Sequence, residues 1–194
     1  DLAWQLGIGC GGLVKILLQP VNAKNDYLLL NDLLKNLRNR IFCQYRQQIS
    51  DGIPLNHLTQ MPNEERSKPQ LVEQDGKCFL EQILCPPFHL TLVGGGGDAR
   101  PVVRFAKELG WEVVLVDPRP SHARREHFGE IREIVKSDID NIKDNEFLVH
   151  TNAVVIMSHS IDIDAQALFL AMRSSATYVG LLGPGHRTKR VFER

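Results

Sequence analysis

The sequence predicts an α/β fold in which a doubly wound parallel sheet, with helices on both faces, follows a smaller α+β lobe. Short apolar segments alternate with helical segments over residues 90–194, as in parallel sheets with right-handed crossovers. Four consecutive glycines follow the first of these apolar segments. The sequence Cys85, Pro86, Pro87 interrupts the pattern, so we place the two lobes at residues 1–87 and 88–194.

Composition excludes several classes of protein. The 194 residues carry 23 basic and 23 acidic side chains, and this balance argues against a general nucleic-acid binder. No apolar stretch approaches the roughly 18 residues that span a bilayer, and the first residues lack the pattern of a signal peptide. The four cysteines show no C-x-x-C spacing, which argues against structural zinc and favours a reducing, cytoplasmic location.

The N-terminal lobe is predicted from weaker patterns. A glycine-rich turn at residues 7–12 leads into an apolar run at 13–18, which we interpret as a short strand. Leucines recur at helical spacing from Leu30 to Leu37 and predict one long amphipathic helix over 25–49, with Asn25 or Asp26 as its N-cap. Residues 50–76 are polar and suit short strands, a loop or a linker, whereas 79–84 form a further strand.

The C-terminal lobe has clearer periodicity. Pro101 suits the first turn of a helix, and Gly110 suits the residue that ends it. The expected elements are strands at 90–93, 111–116, 131–135, 153–157 and 177–179, and helices at 98–109, 162–172 and 184–192.

The glycine run predicts a Rossmann-like nucleotide turn. The stretch from Gly94 through Gly96 and Asp98 to Ala99 fits G-x-G-x-x-[G/A] after a strand and before a helix. The first glycine permits the tight turn, the second lets backbone approach a pyrophosphate, and the small third residue lets the helix pack on the strand. The N-terminus of that helix favours an anion. The alternative is that the fold is present while the turn binds another ligand or none.

A second strand ends close to an acidic residue. Asp117 lies 23 positions after Gly94, where a ribose hydroxyl is bound in dinucleotide sites. Arg119 would instead favour a 2′-phosphate.

The segment after strand 153–157 is a further candidate. In a sheet of order 3-2-1-4-5 this strand lies beside the strand of the glycine turn, so His159 borders the crevice at the carboxyl edge. His159, Asp162 and Asp164 are candidates for proton transfer or metal ligation. The alternative is that Asp162 caps the following helix and His159 is a polar loop residue.

Two more glycine-rich segments are candidate sites. Gly183 precedes a basic helix start, where cations oppose the helix dipole and an anionic ligand or acidic partner would offset the conflict. Cys10 lies between Gly9 and Gly11, where backbone N–H groups can lower a thiol pKa and bind an anion. The alternatives are a solvated basic face and a small buried thiol. The other cysteines, Cys43, Cys78 and Cys85, suit core or incidental positions.

Together these segments resemble the XdhC/CoxI family, accessory proteins of xanthine dehydrogenase and related molybdenum hydroxylases. The matching stretches are residues 7–12, 92–101, 116–120, 157–159 with Asp162 and Asp164, and 178–183. The resemblance implies an XdhC/CoxI-type N-terminal lobe and a Rossmann-like C-terminal domain. Members of the family have a longer N-terminal region and continue past the last helix start, so the resemblance implies truncation at both ends.

The resemblance also implies a function. It implies that the chain binds molybdenum cofactor, as molybdopterin or its dinucleotide form, protects it during sulfuration and delivers it to an apo-enzyme. Cys10 occupies the family's cysteine position and is the expected contact to the metal. Apo xanthine dehydrogenase or a related hydroxylase and a cysteine desulfurase are the expected partners, and we expect a homodimer. The alternatives are an NAD(P)-dependent oxidoreductase and a nucleotide-sensing or redox-sensing module.

Overall fold

The structure is a computed structural model that describes residues 16–50, 55–62, 68–142 and 146–194. The chain divides into two compact units, Asp1–Pro86 and Pro87–Arg194. The first unit contains a 3-10 helix at Ala23–Leu29, α1 at Leu30–Arg38, and strands β1 (Phe42–Gln48), β2 (Asn56–Met61), β3 (Gln70–Gln74) and β4 (Lys77–Leu84).

The first unit is an antiparallel sheet of order β2-β1-β4-β3. Strand β1 lies at its centre and pairs with both β2 and β4. Its side chains alternate, so that Cys43 and Tyr45 are buried while their neighbours are half-buried. The Tyr45 hydroxyl donates to the carbonyl of Leu28 at 2.5 Å, which attaches the 3-10 helix to the sheet. The unit is therefore an α+β lobe, as expected.

The prediction of one helix over residues 25–49 is wrong. The helix ends at Arg38, and Arg40 adopts a left-handed backbone (φ 63°) that a continuing helix does not allow. The chain then runs as β1, because the alternate burial of Cys43 and Tyr45 and pairing on both edges outweigh helical spacing. The first cap is Asn22, not Asn25 or Asp26.

Other expectations for this unit have mixed outcomes. The strand predicted at 79–84 is present as part of β4, and the polar region contains β2 and β3. Residues 16–18 of the strand predicted at 13–18 have no regular structure and are exposed, and its remaining residues lie outside the described ranges. Cys43 is buried, as expected of a core thiol, while Cys78 and Cys85 are half-buried.

The second unit is a five-stranded parallel sheet. Its elements are β5 (His89–Val93), α2 (Ala99–Glu108), β6 (Glu112–Val116), α3 (Arg125–Phe128), β7 (Glu133–Val135), a 3-10 helix (Ile139–Ile142), α4 (Glu146–Val149), β8 (Ala153–Ile156), α5 (Ile161–Ala171), β9 (Tyr178–Leu181) and α6 (Gly185–Phe192). The order β7-β6-β5-β8-β9 confirms the predicted 3-2-1-4-5 sheet, with β5 paired to β6 and β8. Residues after β5, β6 and β8 therefore meet at one edge.

Helices cover both faces of this sheet. Alternate strand residues such as Leu92 and Leu115 pack against α2 on one face. The other set, including Val116 and Ile156, packs against α5 and the 3-10 helix. The structure thus confirms a Rossmann-like sheet with two apolar layers. The three short helices at 125–128, 139–142 and 146–149 were not predicted, since four residues are too few to show a periodic pattern.

None of the helices in the described ranges has the length and apolar character needed to cross a bilayer.

The centre of the sheet should dominate the stability of the second unit. Leu92 is fully buried, so Leu92→Ala removes a packed side chain and leaves a cavity. We expect a loss of about 2–5 kcal/mol in the free energy of unfolding, measured by urea denaturation. Leu109→Ala is the matched control, because Leu109 is 64% exposed, and it should cost much less. Equal losses in both variants would contradict this description of the core.

Candidate functional site

The glycine turn connects β5 to α2 at the carboxyl edge of the parallel sheet. Gly94 has φ 109°, and a Cβ there would lie 2.6 Å from the carbonyl carbon of Met157. A Cβ on Gly95 would lie 2.4 Å from the carbonyl oxygen of His122. No non-glycine residue fits either position without backbone movement. The first two glycines are therefore required by the neighbouring chain itself.

The second half of the turn is open. A Cβ on Gly97 would meet no atom within 4 Å, and one on Gly96 would only touch the His159 ring at 4.0 Å. Within the described ranges, no acceptor is found for the backbone N–H groups of Gly96 and Gly97. Ala99 is fully buried at the start of α2, as the small third position of the motif predicts. The turn thus leaves two glycines accessible at a helix N-terminus.

The carboxylate of Asp117 is fully buried beneath the turn. It accepts the N–H of Gly95 at 2.8 Å and the backbone N–H of Arg119 at 2.9 Å. It also accepts Nε and Nη2 of Arg119, at 2.9 and 2.8 Å. Burial alone would raise the pKa of Asp117, but the hydrogen bonds from Arg119 and Gly95 outweigh it and hold the pKa below its ordinary value. Asp117 is ionised and committed to the turn.

Arg119 connects two strands across the turn. Its Nη2 also donates to the carbonyl of Ser158 at 2.9 Å, so one guanidinium joins the end of β6 to the end of β8. Because β5 lies between these strands, this side chain passes over the carboxyl end of β5. The hydrogen bonds from Asp117 raise the pKa of Arg119 further, so it stays charged.

A second buried carboxylate repeats this arrangement at the neighbouring turn. Asp164, in the first turn of α5, is fully buried and accepts both the backbone N–H and the hydroxyl of Ser158. Its other oxygen accepts Nη2 of Arg187 at 2.6 Å, and Arg187 Nη1 donates to the carbonyl of Leu182 at 3.2 Å. Gly183 (φ 147°) lies against Arg187, because a Cβ there would be 3.2 Å from its Cδ. The cation at the start of α6 is thus offset by an internal carboxylate.

His159 extends over the open half of the glycine turn. It adopts a left-handed backbone (φ 61°), an uncommon conformation for this residue type. Its Nε2 lies 3.1 Å from Oδ2 of Asp98, and both side chains are more than half exposed. This pair is the titratable group closest to the accessible glycines, and a left-handed non-glycine residue at such an edge is typical of functional sites.

The structure brings together most residues that the sequence singled out. Those that meet at the carboxyl edge of the sheet are Gly94, Gly96, Asp98, Ala99, Asp117, Arg119 and His159. Gly183 begins the adjacent turn beyond β9. Cys10, with Gly9 and Gly11, lies outside the described residues.

The acidic residues after β8 differ from expectation. Asp162 does not cap α5: the N-cap is Ser160, and Asp162 instead accepts Nε of Arg194 at 2.8 Å on the surface. Asp164 is sealed by Ser158 and Arg187. Within the described ranges, no group of three His, Cys, Asp or Glu side chains is placed to hold a metal ion.

Sequence reasoning missed the roles of Ser158 and Arg187. Ser158 binds Asp164 and offers its carbonyl to Arg119, while Arg187 completes the second ion pair. The sequence contained one signal: a basic residue in the first turn of a helix conflicts with its dipole and requires a nearby anion. That anion is Asp164, 23 residues earlier in the chain, and only the fold identifies it.

A family model described as the XdhC Rossmann domain matches residues 90–194. This match covers more than half of the 194 residues. The chain belongs to the XdhC family. The resemblance drawn from the glycine motifs and from the segments after each strand is therefore confirmed.

Two relatives extend this finding. The chain is 22% identical over 205 residues to a protein of Bacillus subtilis (strain 168) described as one of the probable subunits of xanthine dehydrogenase, covering 98% of this chain and 62% of the relative. A solved structure described as a xanthine dehydrogenase from Bacillus halodurans matches with a TM-score of 0.69 at 22% identity, over 91% of this chain and 58% of that one. The chain thus spans about three fifths of each relative, and the second likeness supports the fold alone.

The glycines of the turn should respond differently to the same change. Gly94→Ala places a methyl group against the backbone of Met157 at a positive φ, so we expect a loss of about 2 kcal/mol or more in unfolding free energy. Gly97→Ala is the matched control, because its Cβ meets open space. Thermal unfolding of both variants tests this, and a tolerated Gly94→Ala would contradict the packing of the turn.

Removing the Asp117 charge should change stability and its pH dependence. The folded pKa is below the unfolded value of 3.8, so the unfolded state binds more protons in acid. The stabilisation is therefore fully present at neutral pH and is lost as the pH falls from about 4 through the folded pKa. Asp117→Asn should cost about 1–3 kcal/mol at pH 7, because Arg119 loses its partner, and flatten this acid dependence.

Urea unfolding between pH 2 and 7 measures both effects. Asp98→Asn is the control, since the Asp98 carboxylate is 64% exposed and should contribute little at any pH. An Asp117→Asn variant that retains the wild-type acid dependence would refute this assignment.

Proposed function

We propose that the chain binds molybdenum cofactor and helps to mature it or insert it into xanthine dehydrogenase or a related molybdenum hydroxylase. The observation that carries the proposal is the divided glycine turn. One half is filled by the protein's own Asp117 carboxylate, and the other half, Gly96 and Gly97, leaves backbone N–H groups open. A phosphate group, such as the one that every form of the pterin cofactor carries, is the natural ligand of such an edge.

The chemistry around the open half suits a cargo that is held and released. Arg119 supplies a fixed positive charge beside the turn, whereas the exposed Asp98 opposes an anion. Protonated His159 would offset Asp98, so the site combines attraction with a built-in repulsion. Tight, permanent retention of a dinucleotide favours neither an acidic side chain nor an exposed edge. This balance supports transfer of the ligand more than catalysis on it.

The thiol of Cys10 is the proposed contact to the metal of the cargo, with Gly9 and Gly11 allowing close approach. Its basis is the match to the family's cysteine position. A thiolate is the cysteine form that binds metals, and backbone N–H groups of a glycine turn favour it. Apo-hydroxylase and a cysteine desulfurase are the proposed partners, in the cytoplasm, and a homodimer is the proposed state.

The second candidate is an NAD(P)-dependent oxidoreductase, which the Rossmann sheet favours. Against it, both oxygens of Asp117 are already used by Gly95 and Arg119, so the usual acceptor for an adenosine ribose is occupied. Arg119 leaves a 2′-phosphate as the more compatible feature. His159 with Asp98 is the sole exposed proton-transfer pair that the described residues place at the turn.

Co-purification of pterin tests the proposal. Protein purified without oxygen should carry a pterin that becomes fluorescent on oxidation, with molybdenum measured by mass spectrometry. We expect Cys10→Ser to lower the bound molybdenum at least tenfold, while Cys85→Ser, a change at another free thiol, leaves it unchanged. Transfer to an apo-hydroxylase, measured as gained activity, should fall in parallel.

A different ligand would overturn it. Wild-type protein that carries no pterin, and that does not activate the apo-enzyme when pterin is supplied, would refute the proposal. Turnover of NAD(P)H with a small carbonyl substrate, lost in His159→Gln, would favour the second candidate.

A further inference from the structure

Helix α2 has two different faces. Ala99, Val103 and Ala106 are buried against the parallel sheet. The outer face carries Arg100, Arg104 and Lys107, which are all exposed. Steps of four and three residues place these three side chains along one line of the helix. We call this line the basic stripe.

A cavity of about 600 Å³ opens beside the basic stripe, where α2 approaches α3. Val103 and Phe128 form an apolar floor, and both are almost fully buried. All three residues of the stripe line the cavity, together with His127 from α3. Glu108 is the single carboxylate among the lining residues. The cavity therefore joins a strongly positive rim to an apolar floor.

The charges of the stripe are not neutralised internally. Among the described residues, no carboxylate lies within ion-pair distance of Arg100, Arg104 or Lys107. The Arg104 guanidinium lies over the ring of Phe105 instead, 5.3 Å from its centroid. The whole chain has no excess of basic residues, with 23 of each sign. The stripe is thus a local concentration of positive charge, in contrast to Arg119 and Arg187, which each have a carboxylate.

The dimensions favour an extended segment over a small anion. Seven helical steps separate Arg100 from Lys107, a span of roughly 10 Å. This length matches about three residues of extended chain and exceeds a single phosphate. The three cations are exposed, so none forms an enclosed anion site. The apolar floor would remain unused by a phosphate but accepts a leucine or phenylalanine side chain.

We propose that the groove between α2 and α3 binds a short acidic segment of a partner protein. Its carboxylates pair with the basic stripe, and an apolar side chain between them packs on Val103 and Phe128. That the partner is the molybdenum hydroxylase rests on the proposed function, whereas the chemistry of the segment does not. Charge complementarity of this kind mainly increases the association rate and the specificity of a complex.

A labelled peptide tests the groove directly. The probe is a fluorescein-labelled peptide, Glu-Glu-Leu-Glu-Glu-Phe-Glu-Glu, with a counterpart in which every Glu is Gln. Fluorescence anisotropy should show saturable binding of the acidic peptide, weakened as NaCl is raised. The triple variant Arg100→Glu, Arg104→Glu, Lys107→Glu should weaken it at least tenfold. Since these side chains are exposed, the variant should keep the wild-type melting temperature.

A matched control separates a local site from net charge. The triple variant Lys136→Glu, Arg173→Glu, Lys189→Glu changes the charge by the same amount at exposed positions outside the groove. It should bind the acidic peptide within about twofold of wild type. Equal weakening in both triple variants would overturn the proposal, as would equal binding of the Gln peptide. Binding of inorganic pyrophosphate that depends on the stripe, without peptide binding, would show a small-anion site and also overturn it.

Measuring pterin on the same samples keeps the two proposals distinct. If the chain handles molybdenum cofactor, the stripe variant retains its pterin but transfers it to the apo-hydroxylase at least tenfold more slowly than the control variant. Unimpaired transfer in the stripe variant would overturn the assignment of this groove to the hydroxylase. If wild-type protein carries no pterin, the proposed function fails while the peptide result stands.

Discussion

The buried carboxylate of Asp117 is the interaction on which the carboxyl edge of the parallel sheet depends. A buried charge must be paired, and four donors from Gly95 and Arg119 supply that pairing. Because Arg119 also reaches the carbonyl of Ser158, the ends of β6 and β8 are joined across β5. The conformation of the glycine turn is thus fixed by charge as well as by the absence of a Cβ.

The same device occurs twice at this edge. Asp164 and Arg187 hold the start of α6 as Asp117 and Arg119 hold the glycine turn. In both places an internal carboxylate occupies a position that external anions take in many Rossmann proteins. A ligand must therefore bind beside these ion pairs and not in place of them. Such an edge is rigid in its buried half and exposed in the half that His159 overlies.

Binding of a cargo and binding of a partner would use different faces of α2. Its first turn follows the open glycines, whereas the basic stripe lies along its outer side. The buried face between them packs on Leu92 and Leu115, which belong to the centre of the sheet. A short rigid helix thus separates an anion-binding turn from a protein-binding groove by a few ångströms, an arrangement suited to handing over a ligand.

The sequence by itself determined the parallel sheet, its strand order and the position of the glycine turn, because short apolar strands, amphipathic helices and glycines leave local patterns. It did not determine the end of the first helix at Arg38, where pairing of β1 on both edges overrode the leucine spacing. Nor did it show that Asp117 and Asp164 are consumed by Arg119 and Arg187. A side chain's partner depends on which strand ends meet in space, and only the tertiary structure decides that.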